Sequence, residues 1–208
     1  MQRYKLVGIA LCTSALAIWD SCAYAEEFSA RLNGFQELGA LNAQTGAVLS
    51  NGTGTLKLDL DRNAGTIAYT LIYSDVGTTP PQTGMVSQAH IHFGKARDSG
   101  GVMVFFCTNL GNGPAGTQAC PKTSTGPNGL TGTFTAASVV AIPGQNVKVN
   151  DFNALVEAIT SNTAYANIHT VPVPPATNTA FPAGEIRGQI HRGDLDEKHD
   201  NHDNHEHK

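Results

Sequence analysis

Apolar and polar residues alternate with a period of two in several short stretches of the chain, the pattern of half-buried β-strands. In residues 53–60, Leu56, Leu58 and Leu60 alternate with Thr55, Lys57 and Asp59. Asp61-Arg62-Asn63-Ala64-Gly65 has turn chemistry and leads into a second run at 66–73, so the two predict a hairpin. Further strand-like runs lie at 28–32, 86–93, 102–106, 129–135, 164–170 and 185–191. About eight strands without alternating helices predict an all-β fold, an antiparallel β-sandwich of Ig-like or Greek-key type. One short helix is expected at 152–160, where Phe152, Leu155, Val156 and Ile159 fall at i, i+3, i+4 and i+7 behind Asp151 as N-cap; it would close one end of the sandwich. Segments 77–84, 111–127 and 171–183, rich in Gly, Pro and Thr, are expected loops.

The ends of the chain break this pattern. Arg3 and Lys5 precede an apolar run at 6–19, and Ala23-Tyr24-Ala25 follows with small residues at −3 and −1. This predicts a secretory signal peptide cut after Ala25, hence a periplasmic or secreted protein. The run falls short of the roughly 20 residues that span a bilayer, and no longer apolar stretch follows, so the mature chain is expected to have no membrane span. From Arg192 the sequence turns into RGDLDEKHDNHDNHEHK, which has almost nothing apolar to bury and is expected to be disordered. The expected organisation is therefore signal peptide 1–25, one domain at 26–191, and a tail at 192–208.

Composition supports one β-rich domain. Charged residues make up only 14% of the chain, Gly alone supplies 22 residues, and the net charge is −4. A weakly acidic chain lacks the basic footprint that nucleic-acid binding needs. Cys12 and Cys22 would leave with the signal, so Cys107 and Cys120 remain. In an oxidising compartment an even pair is most simply a disulfide, contributing on the order of 3 kcal/mol through loop closure.

Candidate chemistry comes from the histidines. In Ala89-His90-Ile91-His92-Phe93, Ile91 and Phe93 face the core, which puts His90 and His92 together on the other face. By the same alternation Tyr165, Asn167 and His169 share the non-core face of residues 164–170, and Glu185, Arg187, Gln189 and His191 that of residues 185–191. Two imidazoles on one strand, joined by a third from another, suit Cu(II) or Zn(II) with an open position. His191 is a weaker fourth donor, since the end of a strand is equally a place for an exposed residue. Glu185 and Arg187 fit either a structural ion pair tying the strand to a loop or, for Arg187, guidance of an anion toward the metal. Tyr165 and Asn167 are expected to support the ligands. His199, His202, His205 and His207 of the tail form a tract of a kind that binds transition metals weakly. No motif marks a catalytic residue.

Several fragments together resemble the CHRD domain, a module repeated in the animal growth-factor antagonist chordin and found singly in exported microbial proteins. They are Phe28-Ser29-Ala30-Arg31-Leu32-Asn33-Gly34 with Gln36-Glu37, Ala89-His90-Ile91-His92-Phe93-Gly94, the helical segment, Ala164-Tyr165-Ala166-Asn167-Ile168-His169-Thr170, and Gly184-Glu185-Ile186-Arg187-Gly188-Gln189-Ile190. The resemblance implies a β-sandwich and little about activity. The His-x-His strand is also similar to the copper strand of Cu/Zn superoxide dismutases, without the residues that would complete a binuclear site; fold analogy does not transfer chemistry. The expected function is binding of one copper or zinc ion through His90, His92 and His169, with the tail gathering metal. Two alternatives are an extracellular protein-interaction module without metal and a mononuclear copper redox enzyme.

Overall fold

Each alternating run forms a strand in the computed structural model, which describes residues 25–38, 46–81, 84–173, 180–193 and 195. Residues 1–24 of the expected signal peptide and 196–208 of the tail, with its four histidines, lie outside the described residues. In chain order the strands are β1 (Glu26–Asn33), β2 (Thr53–Asp61), β3 (Thr66–Ser74), β4 (Met85–Phe93), β5 (Gly101–Thr108), β6 (Leu130–Phe134), β7 (Ala164–Val171), β8 (Ile186–Gln189) and β9 (His191–Arg192), with α1 (Phe152–Thr160) before β7. The fold is all-β and every strand pairing is antiparallel.

The strands follow one hydrogen-bonded path, β5-β4-β7-β8-β1-β2-β3-β6, with β9 added beside β1. The path curls until its two ends meet through side chains. Tyr69 of β3 stacks on Phe134 of β6 at 4.5 Å and meets Phe106 of β5 edge-on at 5.0 Å. Its hydroxyl also donates to the Phe106 carbonyl at 3.3 Å. Leu56, Leu58 and Leu60 point into the space so enclosed, together with Ile67, Leu71, Ile91, Ile168 and Ile186, all buried.

The ninth strand arises because the run at 185–191 is not continuous. Pairing with β7 covers Ile186 to Gln189 and ends there, while β1 stays alongside in one register, with Asn33 opposite Arg187, Ser29 opposite His191 and Phe28 opposite Arg192. Gly188 lets β8 lie this close to β1, since a Cβ there would run into the Arg31 carbonyl.

Asp151 caps α1 as expected, accepting from the Ala154 amide at 3.1 Å, and Leu155, Val156 and Ile159 are buried. Asn162, with φ 57°, ends the helix in the left-handed region and turns the chain into β7. The Cys107–Cys120 disulfide is formed. It pins the long loop after β5, where the Asn109 side chain also accepts from the Cys120 amide and donates to the Val86 carbonyl. Among the described residues no helix is long and apolar enough to cross a membrane.

Candidate metal centre

Register on β4, β7 and β8 places the polar residues of the three strands on one face. His92, Tyr165 and Gln189 form one row across the strands, and His90, Asn167 and Arg187 form the next. His169 stands two residues beyond Asn167 on β7, opposite Gln88. On the opposite face Ile91, Ala166 and Gly188 form a row, and Ala89, Ile168 and Ile186 another, which belong to the core. The alternation therefore assigns the faces correctly.

The polar face is nevertheless not exposed, contrary to what a non-core strand face implies. His90 is 1% exposed, His92 and His169 are 8% exposed, and Arg187 is 2% exposed. Three segments cover them. Residues 94–100 are fastened by Arg187, which donates from Nη2 to the carbonyls of Lys95 and Asp98 at 2.9 Å each. Residues 180–184 are fastened by His169, whose Nδ1 bonds the Pro182 carbonyl at 2.9 Å. From the segment after β1, the Glu37 carboxylate accepts from Asn167 Nδ2 at 3.0 Å.

Glu185 and Arg187 do not form the expected ion pair. Glu185 instead accepts from the Gly77 amide, from Ser50 Oγ at 2.7 Å and from Thr170 Oγ1 at 2.9 Å, tying two loops to the sheet. Arg187 lies 3.3 Å over the Tyr165 ring, and Tyr165 stacks on His92 at 4.7 Å, within 3° of parallel. The guanidinium, phenol and imidazole thus form one continuous stack. Burial pushes the Arg187 pKa down and the Tyr165 pKa up.

The three imidazoles converge. Ring centroids are 5.3 Å apart for His90–His92, 5.1 Å for His90–His169 and 6.1 Å for His92–His169. One ring nitrogen from each lies within 4.8 Å of the others. His92 Nδ1 bonds the Gly100 carbonyl at 2.9 Å, as His169 Nδ1 bonds that of Pro182. A carbonyl only accepts, so both rings carry their proton on Nδ1 and leave a bare lone pair on Nε2. Those two Nε2 atoms, and both nitrogens of His90, are buried without a hydrogen-bond partner among the described residues. Burial, reinforced by the neighbouring imidazoles, lowers the His90 pKa to about 2. Burial, partly offset by the Gly100 carbonyl, lowers that of His92 to about 4, and burial lowers that of His169. The rings are therefore neutral at physiological pH, the form that binds metals.

A tetrahedral ion with metal–nitrogen bonds of about 2.0–2.1 Å needs ligand nitrogens about 3.4 Å apart. His90, which no hydrogen bond holds, is the ring free to turn inward. His191 does not join the group: it is exposed, in β9. Reading the sequence missed Glu37 and the backbone carbonyls of Gly100 and Pro182. The carbonyls have no side-chain signature, and Glu37 lies in a stretch without periodicity.

The CHRD domain family model matches residues 28–190, a span that contains all three histidines and the segments covering them. No curated protein and no solved structure matches the chain.

Proposed function

The chain belongs to the CHRD domain family, and on that premise we propose that it is an exported domain that binds one copper or zinc ion through His90, His92 and His169. In this reading the curled sheet is a β-sandwich, and the histidine-rich tail gathers metal for the buried site. The observation that carries the reading is the convergence of buried lone pairs: His92 and His169 are locked with Nε2 unprotonated, and nothing among the described residues satisfies them. Buried polar atoms normally have partners, and three unsatisfied imidazoles in one place would cost several kcal/mol. A cation that accepts all three lone pairs removes that cost. The carbonyls behind His92 and His169 then do what outer partners of metal-bound histidines do, fixing tautomer and ring orientation.

Titration of Zn(II) and Cu(II) into the chain with alanine at His199, His202, His205 and His207 tests this, because those residues would otherwise mask the site. One equivalent binds tightly, and the added His90→Ala/His92→Ala pair abolishes it. Absence of stoichiometric binding overturns the reading. Samples loaded with copper also test the redox-enzyme alternative, which requires reversible reduction and turnover.

A second reading, an extracellular protein-interaction module, is favoured by the family and by one surface feature. Phe35 and Leu49 are 71% and 79% exposed on neighbouring segments joined by the Val48 amide and the Gly34 carbonyl. On that reading Phe35→Ser and Leu49→Ser reduce partner binding, whereas His90→Ala and His92→Ala leave it intact.

A further inference from the structure

Three histidines leave a tetrahedral ion one position short, and Asn167, so far given only a supporting role, stands beside them. Asn167 lies directly opposite His90 across the β4–β7 ladder and two residues from His169 on the same face. Residues directly opposite in an antiparallel pair, and those two apart along a strand, are side-chain neighbours. The Asn167 amide is also oriented. Glu37 Oε2 takes the hydrogen bond from Nδ2 at 3.0 Å, so Oδ1 is turned away from the carboxylate, buried and without a hydrogen-bond partner among the described residues. His92 lies one row from Asn167 on the same face, and its Nε2 is likewise buried without a hydrogen-bond partner among the described residues. With the His92 proton on Nδ1, the Asn167 carbonyl and the His92 Nε2 are both electron-pair donors and have no proton to share. Gly184, at φ 130°, closes the other side: a Cβ there would collide with Glu37 Oε2 and Asn167 Nδ2. The pair is held from behind by backbone that only glycine allows.

We propose that Asn167 Oδ1 is the fourth ligand of the three-histidine centre, with Glu37 as the residue that positions it. This rests on the metal-binding reading above. The set becomes three imidazole nitrogens and one amide oxygen. An amide oxygen suits Zn(II) and other divalent ions, and adds nothing for the softer Cu(I). The site therefore prefers a divalent ion beyond what three histidines alone provide.

The test measures Zn(II) and, anaerobically, Cu(I) affinity for the full chain with alanine at the four tail histidines, and for its Asn167→Ala and Asn167→Asp/Glu37→Gln variants. Asn167→Ala weakens Zn(II) about tenfold or more and leaves Cu(I) unchanged. Asn167→Asp, made together with Glu37→Gln so that an amide donor faces the new carboxylate, offers an anionic oxygen at the same position and keeps Zn(II) at least as tight as in the parent. Unchanged Zn(II) affinity in Asn167→Ala overturns the proposal while leaving the three-histidine site standing, and so does equal weakening of both ions, which marks a structural role. Should the alanine variant not fold, a folded Asn167→Asp/Glu37→Gln pair that binds Zn(II) more weakly than the parent overturns it. If the parent chain binds no metal, the metal reading fails and this proposal with it.

Discussion

His92 and Gly100 are joined by a 2.9 Å hydrogen bond from ring Nδ1 to backbone carbonyl, and that bond decides which nitrogen His92 presents to the other two histidines. The residue that accepts it belongs to the segment fastened over the polar face by Arg187, so the tautomer of a candidate ligand depends on a loop held from β8. His169 repeats the arrangement with Pro182. His90 does not: neither of its nitrogens has a hydrogen-bond partner among the described residues, and its ring meets Phe105 edge-on at 4.5 Å.

That difference makes His90 the position where function and stability oppose each other. Replacing a buried, unsatisfied imidazole by an apolar ring of similar size removes a desolvation penalty and breaks no hydrogen bond. His90→Phe is expected to stabilise the metal-free protein by about 1 kcal/mol and to abolish the zinc-induced rise in Tm. Thermal unfolding of both proteins, with and without zinc, checks both halves.

The pKa values of all three histidines are lowered on folding, to about 2 for His90 and about 4 for His92, and downward for His169. Between the unfolded value near 6.5 and those folded values the unfolded chain binds more protons than the native one. Stability of the metal-free protein is therefore expected to fall as pH drops below about 6.5, by roughly 1 kcal/mol per histidine per pH unit. Urea unfolding at pH 7 and pH 5 checks the direction. His90→Phe, with one such group fewer, is expected to show a shallower decline.

Alternation along β4, β7 and β8 made the face of His90, His92, Asn167, His169 and Arg187 legible in the sequence, because a period of two fixes the side of a sheet whatever lies above it. Their burial was not legible. The groups that cover and orient them are mostly backbone carbonyls, at Lys95, Asp98, Gly100 and Pro182, which any residue supplies. The ion pair expected of Glu185 and Arg187 failed for a related reason, since same-face spacing shows that two side chains are neighbours and not that each lacks a better partner. The pairing of β7 with β8 stops at Gln189, so His191 lies beyond it beside β1 alone and is exposed, and that end point leaves no mark in the hydrophobic pattern.

Glu185 is fully buried, and both of its carboxylate oxygens accept from the Gly77 amide while Ser50 and Thr170 hydroxyls supply further bonds. Only an acceptor on both sides satisfies that set. Glu185→Gln turns an NH2 group toward donors and is expected to cost about 2–3 kcal/mol. The urea midpoint reports this loss. Zinc affinity of the folded variant stays unchanged, because Glu185 bonds none of the three histidines.

Arg187 acts on the site through two neighbours. It holds the Lys95 and Asp98 carbonyls with one nitrogen and lies flat on Tyr165, whose hydroxyl accepts from the Gly100 amide at 3.2 Å. Gly100 is thus gripped from both directions while its carbonyl fixes the His92 proton. A lysine keeps the charge but lacks the planar fork that can stack on the ring and bond two carbonyls at once. Arg187→Lys is expected to speed hydrogen exchange at the Gly100 amide and to lower zinc affinity about tenfold, the scale on which partners behind metal ligands act. The stoichiometry stays at one ion, since all three imidazoles remain. Faster exchange with unchanged affinity would mean that His92 keeps its tautomer without the loop, and the link from Arg187 to the centre would then be packing alone.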